Sequence, residues 1–318
     1  MTVERAPAAA PAIEGREHWT RKGDVRLFLW EKRPASGHAP AGTVLLVHGS
    51  SMASQPAFDL QVPGRPSLMD ALAGLGYDVW SVDMEGYGRS DKHRDVNCDV
   101  ANGADDVEAA TSYILRERGL RSLLLYGGSS GALRAGLFAE RHPDRVARLA
   151  LAAVVWTGRG SPTLEQRRKR LPEYLARNRR PIDRAFVRSI FTRDHPGTAD
   201  EAVVDAFADA VLALDDSVPN GTYVDMCANL PLVDPGRIPV PTLVLRGQWD
   251  GIASLEDVVE FFERLPNPDK QLAVLPGIAH ASLHERNYRI VHHVLHAFFS
   301  RPAPVYRGGA AADPGRRS

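Results

Sequence analysis

The chain has 318 residues, 44% hydrophobic and 25% charged, with 39 basic and 39 acidic side chains and no formal net charge. That balance excludes a global electrostatic attraction to nucleic acid or to an anionic membrane surface. The length suits one α/β core carrying an insertion. The two cysteines, Cys98 and Cys227, lie far apart without metal-ligand spacing, which excludes a disulfide scaffold and is expected of free thiols in a reducing compartment.

Residues 1–16 are rich in Ala and Pro, include Glu4 and hold no continuous apolar segment. They are expected to form a disordered tail rather than a signal peptide. No run elsewhere is long enough to span a membrane, so a cytoplasmic protein is expected. Strand-like patterns over residues 17–21 and 25–30 flank Lys22-Gly23-Asp24 and predict an antiparallel hairpin. Residues 43–47 are continuously apolar, as in a strand buried on both faces, and run into His48-Gly49-Ser50-Ser51. A helix is predicted over 67–76 and a strand over 77–83. After the loop Gly86-Tyr87-Gly88-Arg89-Ser90 comes helical periodicity over 101–119. A strand over 122–126 leads through Gly127-Gly128-Ser129-Ser130-Gly131 into a helix over 130–141, which His142-Pro143 stops because proline cannot continue it. Residues 146–155 read as another strand.

The alternation then breaks. Residues 157–238 hold no strand pattern and read as amphipathic helices divided by Pro162, Pro172, Pro181, Pro196 and Pro219. It resumes with a strand over 241–246, a helix over 254–265, a strand over 270–275 and a helix over 284–299. The Pro/Gly/Ala/Arg-rich residues 301–318 are expected to be a second disordered tail. Repeated β-then-α units imply an α/β fold with a mostly parallel, doubly wound sheet. Its core is expected over 17–156 and 239–300, with a helical cap inserted over 157–238.

In such sheets ligands bind at the C-terminal ends of the strands, and the chemistry-bearing residues fall there. Gly127-x-Ser129-x-Gly131 between strand and helix has the form of a nucleophile elbow. The two glycines avoid clashes with the neighbouring strand and helix, and the Ser130 amide, at a helix N-terminus, is placed to donate to an oxyanion. A Gly/Ser loop that merely turns the chain is the bland alternative. A serine hydroxyl needs a base, and the base an orienting acid. Asp250 follows the strand over 241–246 and His280 the strand over 270–275, giving the order Ser, Asp, His of α/β-hydrolases. Ser129 is the candidate nucleophile, His280 the general base and acid, and Asp250 the carboxylate that fixes its tautomer. Asp250-Gly251 is also a turn signature. His284, a helical turn after His280, is the rival histidine, read as a supporting residue. Asp234 is the rival acid but precedes the strand in a proline-rich linker. His48 reads as a loop-packing histidine.

Together these residues resemble an α/β-hydrolase fold protein with a cap, over roughly residues 17–300. The residues that carry the resemblance are His48-Gly49, Asp83-x-x-Gly86-x-Gly88-x-Ser90, Gly127-x-Ser129-x-Gly131, Asp250 and His280. It implies that the amide of Ser50, following His48-Gly49, joins Ser130 in the oxyanion hole, and that the Asp83 loop is a structural turn. Glu85 departs from the usual form of that loop and is expected to bear on the pocket entrance. Haloalkane dehalogenases and epoxide hydrolases resemble the fold but carry aspartate at the elbow; Ser129 sets them aside. What remains is an esterase- or lysophospholipase-like serine hydrolase acting on a carboxylic ester, such as a small or anionic monoester, through an acyl-enzyme. A C–C bond hydrolase, a thioesterase and a cofactor-free haloperoxidase-like enzyme are the alternatives within enzymes. A non-catalytic small-ligand receptor is the alternative from another class.

Residues 159–193 carry two arginine-rich runs, whereas 194–234 are acidic without Lys or Arg. Two oppositely charged segments that pair with each other are one reading. The sharper one has cap arginines, Arg167 and Arg177 among them, binding a substrate anion. Ser51, Trp156 and Trp249 are further candidates for the pocket. No motif implies a metal or organic cofactor: neither H-E-x-x-H nor H-x-x-E-H occurs, and His292-His293 lie on the last helix. The expected partner is a small ester-type substrate, and a monomer and a homodimer are both open.

Overall fold

A computed structural model describes residues 12–35 and 39–305. Most of the two expected tails, 1–11 and 306–318, lies outside the described residues. The hairpin begins earlier than its sequence pattern implies. β1 (Ile13–Lys22) pairs antiparallel along its whole length with β2 (Val25–Pro34), with Ile13 opposite Pro34. Residues 13–16, expected in the tail, are therefore strand. Ile13 is the one apolar residue among them, too little to show an alternation, and backbone pairing to β2 supplies the order. At the other end, the Arg301 guanidinium pairs with Asp269 at 3.1 Å, which ties down a residue also expected in a tail.

The chain continues through β3 (Thr43–Val47), the short helix α1 (Ser54–Phe58), α2 (Leu68–Gly74), β4 (Asp78–Val82), α3 (Val100–Arg118), β5 (Leu123–Gly128), α4 (Ser130–Arg141) and β6 (Val146–Ala152). Asp99 caps the start of α3 by accepting from Asn102 N–H, and Gly119 ends it in the left-handed conformation. After an insertion come β9 (Thr242–Gly247), α10 (Leu255–Arg264), β10 (Lys270–Leu275) and α11 (Tyr288–Phe299). The last helix starts four residues later than its periodicity predicts. Residues 284–287 are held in turns instead, with His284 N–H donating to Ala281 O.

Among the described residues an eight-stranded sheet runs in the order β1-β2-β4-β3-β5-β6-β9-β10. The pairings from β4 through β3 to β10 are parallel, and those of β2 with β1 and β4 antiparallel. β3 shows why helices must cover both faces. Val44 and Leu46 enter a core layer with α2 and α11, while Leu45 and Val47 enter the opposite layer with α3, α4 and α10. A five-residue strand with no exposed position needs apolar partners on each side.

The insertion between β6 and β9 holds α5 (Pro162–Arg168), α6 (Leu171–Leu175), β7 (Arg179–Pro181), α7 (Arg184–Thr192), α8 (Glu201–Leu212), β8 (Ser217–Pro219) and α9 (Gly221–Ala228). Pro162 and Pro172 sit in the first turns of α5 and α6, where a missing N–H is tolerated. β7 and β8 form a small antiparallel ribbon in a segment where no strand was expected. Three-residue strands ending in proline carry no readable period. Part of the charge asymmetry is spent on pairing: Arg184 and Arg188 of α7 bridge Asp205, Asp209 and Glu201 of α8.

Candidate active site

β5 ends at Gly128, and Ser129 turns the chain into α4 with φ 57° and ψ −125°. A side chain in that conformation stores strain on the order of 1–3 kcal/mol. The surroundings enforce it. Ser129 N–H donates to Ala152 O at 2.8 Å. A Cβ on Gly127 would fall 2.3 Å from Gly131 O, and one on Gly131 would fall 2.2 Å from Val47 O. Only glycine at both positions lets β3, β5 and α4 close on the turn.

The loops after β9 and β10 bring two more residues to this edge. Gln248 N–H donates to Leu275 O and Trp249 N–H to Ile278 O, so the two loops are fastened together. Asp250 is buried, and its Oδ1 accepts from the amides of Ile252 and Ala253 at 2.8 and 3.1 Å. His280 Nδ1 lies 3.1 Å from Asp250 Oδ2, and His280 Nε2 lies 3.0 Å from Ser129 Oγ. With the carboxylate ionised, Nδ1 carries the proton and Nε2 accepts from the serine hydroxyl. Burial pushes the Asp250 pKa up, but the His280 imidazole and the two amides outweigh it and hold it below the ordinary carboxylate range. Ser129, Asp250 and His280 thus form one hydrogen-bonded line.

Glu285 also serves this line, although nothing in its local sequence marks it. Its carboxylate is fully buried and accepts from Ala279 N–H at 2.6 Å and Ala281 N–H at 3.0 Å, one on each side of His280. His284 is buried beside Phe207 and Phe191, and burial lowers its pKa to about 3. It packs rather than exchanging protons at neutral pH. His48 is likewise neutral, with a pKa lowered to about 3 by burial; it donates from Nδ1 to Gly49 O and accepts from Met84 N–H at Nε2. Asp234 caps a short turn by accepting from Gly236 N–H, with no contact to His280.

The loop after β3 lies against the elbow, with the Cβ direction of Gly49 3.4 Å from Ser129 Cβ. Ser50 Oγ donates to Ser130 Oγ at 2.6 Å, and Ser50 O accepts from Tyr87 Oη and Arg180 Nη2. The Ser50 and Ser130 amides have no protein acceptor among the described residues, and Ser130 opens the twelve-residue α4, where the helix dipole favours negative charge.

Two recesses meet at Ser129 and His280. The larger, of about 580 Å³ counting space open to solvent, is apolar, with Met52, Phe58, Tyr126, Ile190, Phe207 and Leu283 among its walls. The smaller, of about 310 Å³ on the same measure, is bounded by Ser50, Ser51, Arg167, Arg193 and Tyr223 together with the apolar Met52 and Ile190. Of the residues expected at a pocket, Ser51 and Arg167 line this recess, and Arg193, which the sequence did not single out, joins them. Three other candidates are placed elsewhere. Trp156 is buried against Phe261 and donates Nε1–H to Val233 O. Trp249 is 43% exposed and stacks on His195. Arg177 is exposed and lines neither recess. Glu85 does not face the entrance: it is buried and paired with Lys22 and Arg94. Asp83 holds its own loop, accepting from Ser54 and Arg89 amides.

Asp194, Asp250 and His280 offer donor atoms within 4.8 Å of one another, the spacing a metal ion needs. Asp250 and His280 are already committed to each other, and Asp194 Oδ1 accepts from Thr163 Oγ1 and lies 3.5 Å from Arg193 Nε. An ion there would have to break the Ser129–His280–Asp250 line.

Known proteins bear on this geometry. Residues 38–287 match the family described as "Serine aminopeptidase, S33". Epoxide hydrolase B of Mycobacterium tuberculosis is 37% identical over 90 residues, 28% of this chain and 24% of that protein, so the chain spans about a quarter of the length of the curated relatives it matches. Among solved structures, a monoacylglycerol lipase from Paleococcus ferrophilus superposes with a TM-score of 0.64 at 21% identity, covering 86% of this chain and 98% of that one. The 2-hydroxy-6-oxo-6-phenylhexa-2,4-dienoate hydrolase of Rhodococcus sp. strain RHA1 gives 0.66 at 19%, covering 91% and 100%. A thermophilic esterase from Thermogutta terrifontis gives 0.62 at 21%, covering 90% and 99%. These structures share the fold. No helix among the described residues is long and apolar enough to cross a membrane. From the family match across most of its length, the chain belongs to the serine aminopeptidase S33 family of α/β-hydrolases.

Proposed function

We propose that this chain is a serine hydrolase that cleaves a carboxylic ester through an acyl-enzyme on Ser129. The observation that supports it is the line from Ser129 Oγ through His280 to Asp250, with steps of 3.0 and 3.1 Å, at the mouth of an apolar recess. In this reading His280 Nε2 takes the Ser129 proton as Oγ attacks the ester carbonyl carbon. The developing oxyanion rests between the Ser50 and Ser130 amides. The imidazolium, stabilised by Asp250, returns the proton to the leaving alkoxide, and the C–O bond breaks. Water, deprotonated by the same imidazole, then attacks the acyl carbon and releases the acid and Ser129. The insertion supplies Ile190 and Phe207 to the recess and acts as its lid.

Serine at the elbow favours this over epoxide opening, despite the similarity to the mycobacterial epoxide hydrolase. Oγ attack on an epoxide carbon would leave a serine ether, which water cannot cleave by acyl chemistry; an ester intermediate can turn over. The test is fluorophosphonate labelling of purified protein and of Ser129→Ala, read by intact mass and peptide mapping, followed by ester, thioester, vinylogous diketone and epoxide substrates. A single adduct on Ser129, absent from the variant, with ester turnover is expected. Labelling without ester turnover, or turnover that survives in Ser129→Ala, would overturn the reading.

A further inference from the structure

The smaller recess differs from the larger in charge as well as size. Arg167 and Arg193 line it, and a third guanidinium, Arg180, lies behind Tyr223. The Arg167 and Arg180 carbons stand 4.2 and 3.7 Å from the Tyr223 ring centroid, so the ring is held between two cations. Among the described residues Arg167 and Arg180 form no ion pair. Arg180 is spent on backbone oxygens, those of Ser50 and Pro219, and braces the Ser50 loop. Arg193 has two acidic neighbours: Asp194, whose Oδ1 is 3.5 Å from Nε, too far for a good hydrogen bond, and Asp250, which is committed to His280. The Arg193 Nε and the Asp194 Oδ2 are both buried without a hydrogen-bond partner. Three guanidiniums thus gather near two carboxylates, of which Asp250 is already paired with His280. Burial of uncompensated guanidinium charge is unfavourable unless an anion completes it. The Tyr223 hydroxyl, 3.4 Å from Ser51 Oγ, feels the same field: burial would raise its pKa, yet Arg167, Arg180 and Arg193 bring it down to about 7.

We infer that the recess bounded by Arg167, Arg193, Tyr223 and Ser51 is a carboxylate-binding subsite, and that the preferred substrate is an ester bearing a free carboxylate a few bonds from the scissile carbonyl. The inference deepens the serine-hydrolase reading and rests on it for the words substrate and ester. Because both recesses open on Ser129 and His280, the substrate straddles them. Its apolar part occupies the Phe58–Phe207 side, and its carboxylate sits between the two guanidiniums, each able to present two parallel N–H donors to it. The same charge opposes a free α-ammonium group. A substrate with a free amino terminus would bring a cation to a site already holding an excess of them. Esters of dicarboxylic acids therefore fit this chain better than aminoacyl substrates.

The test compares 4-nitrophenyl hemisuccinate with 4-nitrophenyl butyrate and alanine 4-nitroanilide, in wild type, Arg167→Met, Arg193→Met and Arg193→Lys. Arg177→Ala, exposed and outside both recesses, is the control. Separately, succinate binding to Ser129→Ala is measured by calorimetry, alone and combined with each arginine substitution. The expected results are a KM for the hemisuccinate about tenfold or more below that for the butyrate, and a KM rise in Arg167→Met and Arg193→Met at least tenfold larger for the anionic than for the neutral ester, with partial rescue in Arg193→Lys. The Arg177→Ala ratio stays at the wild-type value. Succinate binds Ser129→Ala, and binding is lost with either methionine. Equal KM values for the two esters, or loss confined to kcat for both, would overturn the subsite. So would the absence of succinate binding, even with Ser129 labelled and neutral esters turned over. Succinate binding abolished by Arg193→Met in a protein that turns over no ester leaves the subsite standing and removes the serine-hydrolase reading instead.

Discussion

Glu285 grips His280 from both sides. Its two carboxylate oxygens accept from the amides of Ala279 and Ala281, so the backbone on either side of the imidazole is pinned by one buried side chain. Burial raises the Glu285 pKa, and the two amides and the nearby His280 act in the opposite sense. Glu285→Ala leaves the buried Ala279 N–H without an acceptor, at about 1–3 kcal/mol if water does not replace the carboxylate, and frees the half-buried Ala281 N–H as well. The expected outcome is a lower Tm and a kcat reduced by about 10- to 100-fold, consistent with the sensitivity of rate to small misplacements of catalytic groups. Glu285→Gln keeps one acceptor oxygen and is expected to recover part of both. Thermal melts and steady-state ester kinetics check this, and a kcat/KM–pH profile with its acid limb displaced in Glu285→Gln marks an effect on His280 beyond loss of stability.

Two acids stand near His280, and their hydrogen bonds separate them. Asp250 contacts Nδ1 directly, while Asp194 is bonded to Thr163 and set beside Arg193. Asp250→Asn is expected to lower kcat by about 10⁴, because the imidazole loses its tautomer partner. Asp194→Asn is expected to change kcat by less than about tenfold, since it removes no bond along the proton path. Comparable losses in the two variants would show that the acid had been misassigned.

Gly131→Ala puts a methyl group 2.2 Å from Val47 O. Two backbones, not a flexible side chain, would have to move. A destabilisation of about 3 kcal/mol or more is expected, read as a lower denaturant midpoint and loss of fluorophosphonate labelling. Ser130→Ala, which removes only the hydroxyl that accepts from Ser50, is expected to cost about 0.5–1.5 kcal/mol and to retain labelling.

The buried histidines set an acid dependence of stability. Burial lowers the pKa of His48 and His284 to about 3 and that of His292 to about 4. Between pH 6.5 and these values the unfolded chain binds protons that the folded chain refuses. Their stabilisation is thus complete above pH 6.5 and is lost as pH falls toward 4 and then 3. His292 also buries Nε2 without a hydrogen-bond partner. His292→Phe is expected to flatten the decline of Tm between pH 6.5 and 4, with a gain at pH 5 exceeding that at pH 7.5 by about 2–4 °C. A pH-independent effect would assign His292 to packing alone.

Elements with long apolar runs or clear caps were legible because their signals are local. The five-residue apolar strand at β3, the long helical period that ends at Gly119 and the Gly127–Gly131 turn are each dictated by backbone sterics or by the faces they bury. Short pieces were not. α1 and the β7–β8 ribbon are too brief to show a period, and the first four residues of β1, 13–16, are ordered by pairing rather than by composition.

By itself the sequence determined a mostly parallel sheet of alternating strands and helices and the placing of Ser129, Asp250 and His280 after three strand ends, because repeated β-then-α units require parallel crossovers and the residues follow directly after their strands. Only the tertiary structure decided which side chains of the insertion reach that edge. Arg193 faces the recess and Arg177 faces solvent. Trp156 is buried and bonded to Val233 outside both recesses, and Glu285 reaches back past four residues to hold the His280 loop. An arginine or a tryptophan has the same local signature in each of these roles. What separates them is which face of a helix or loop is buried, and distant parts of the chain set that when they pack.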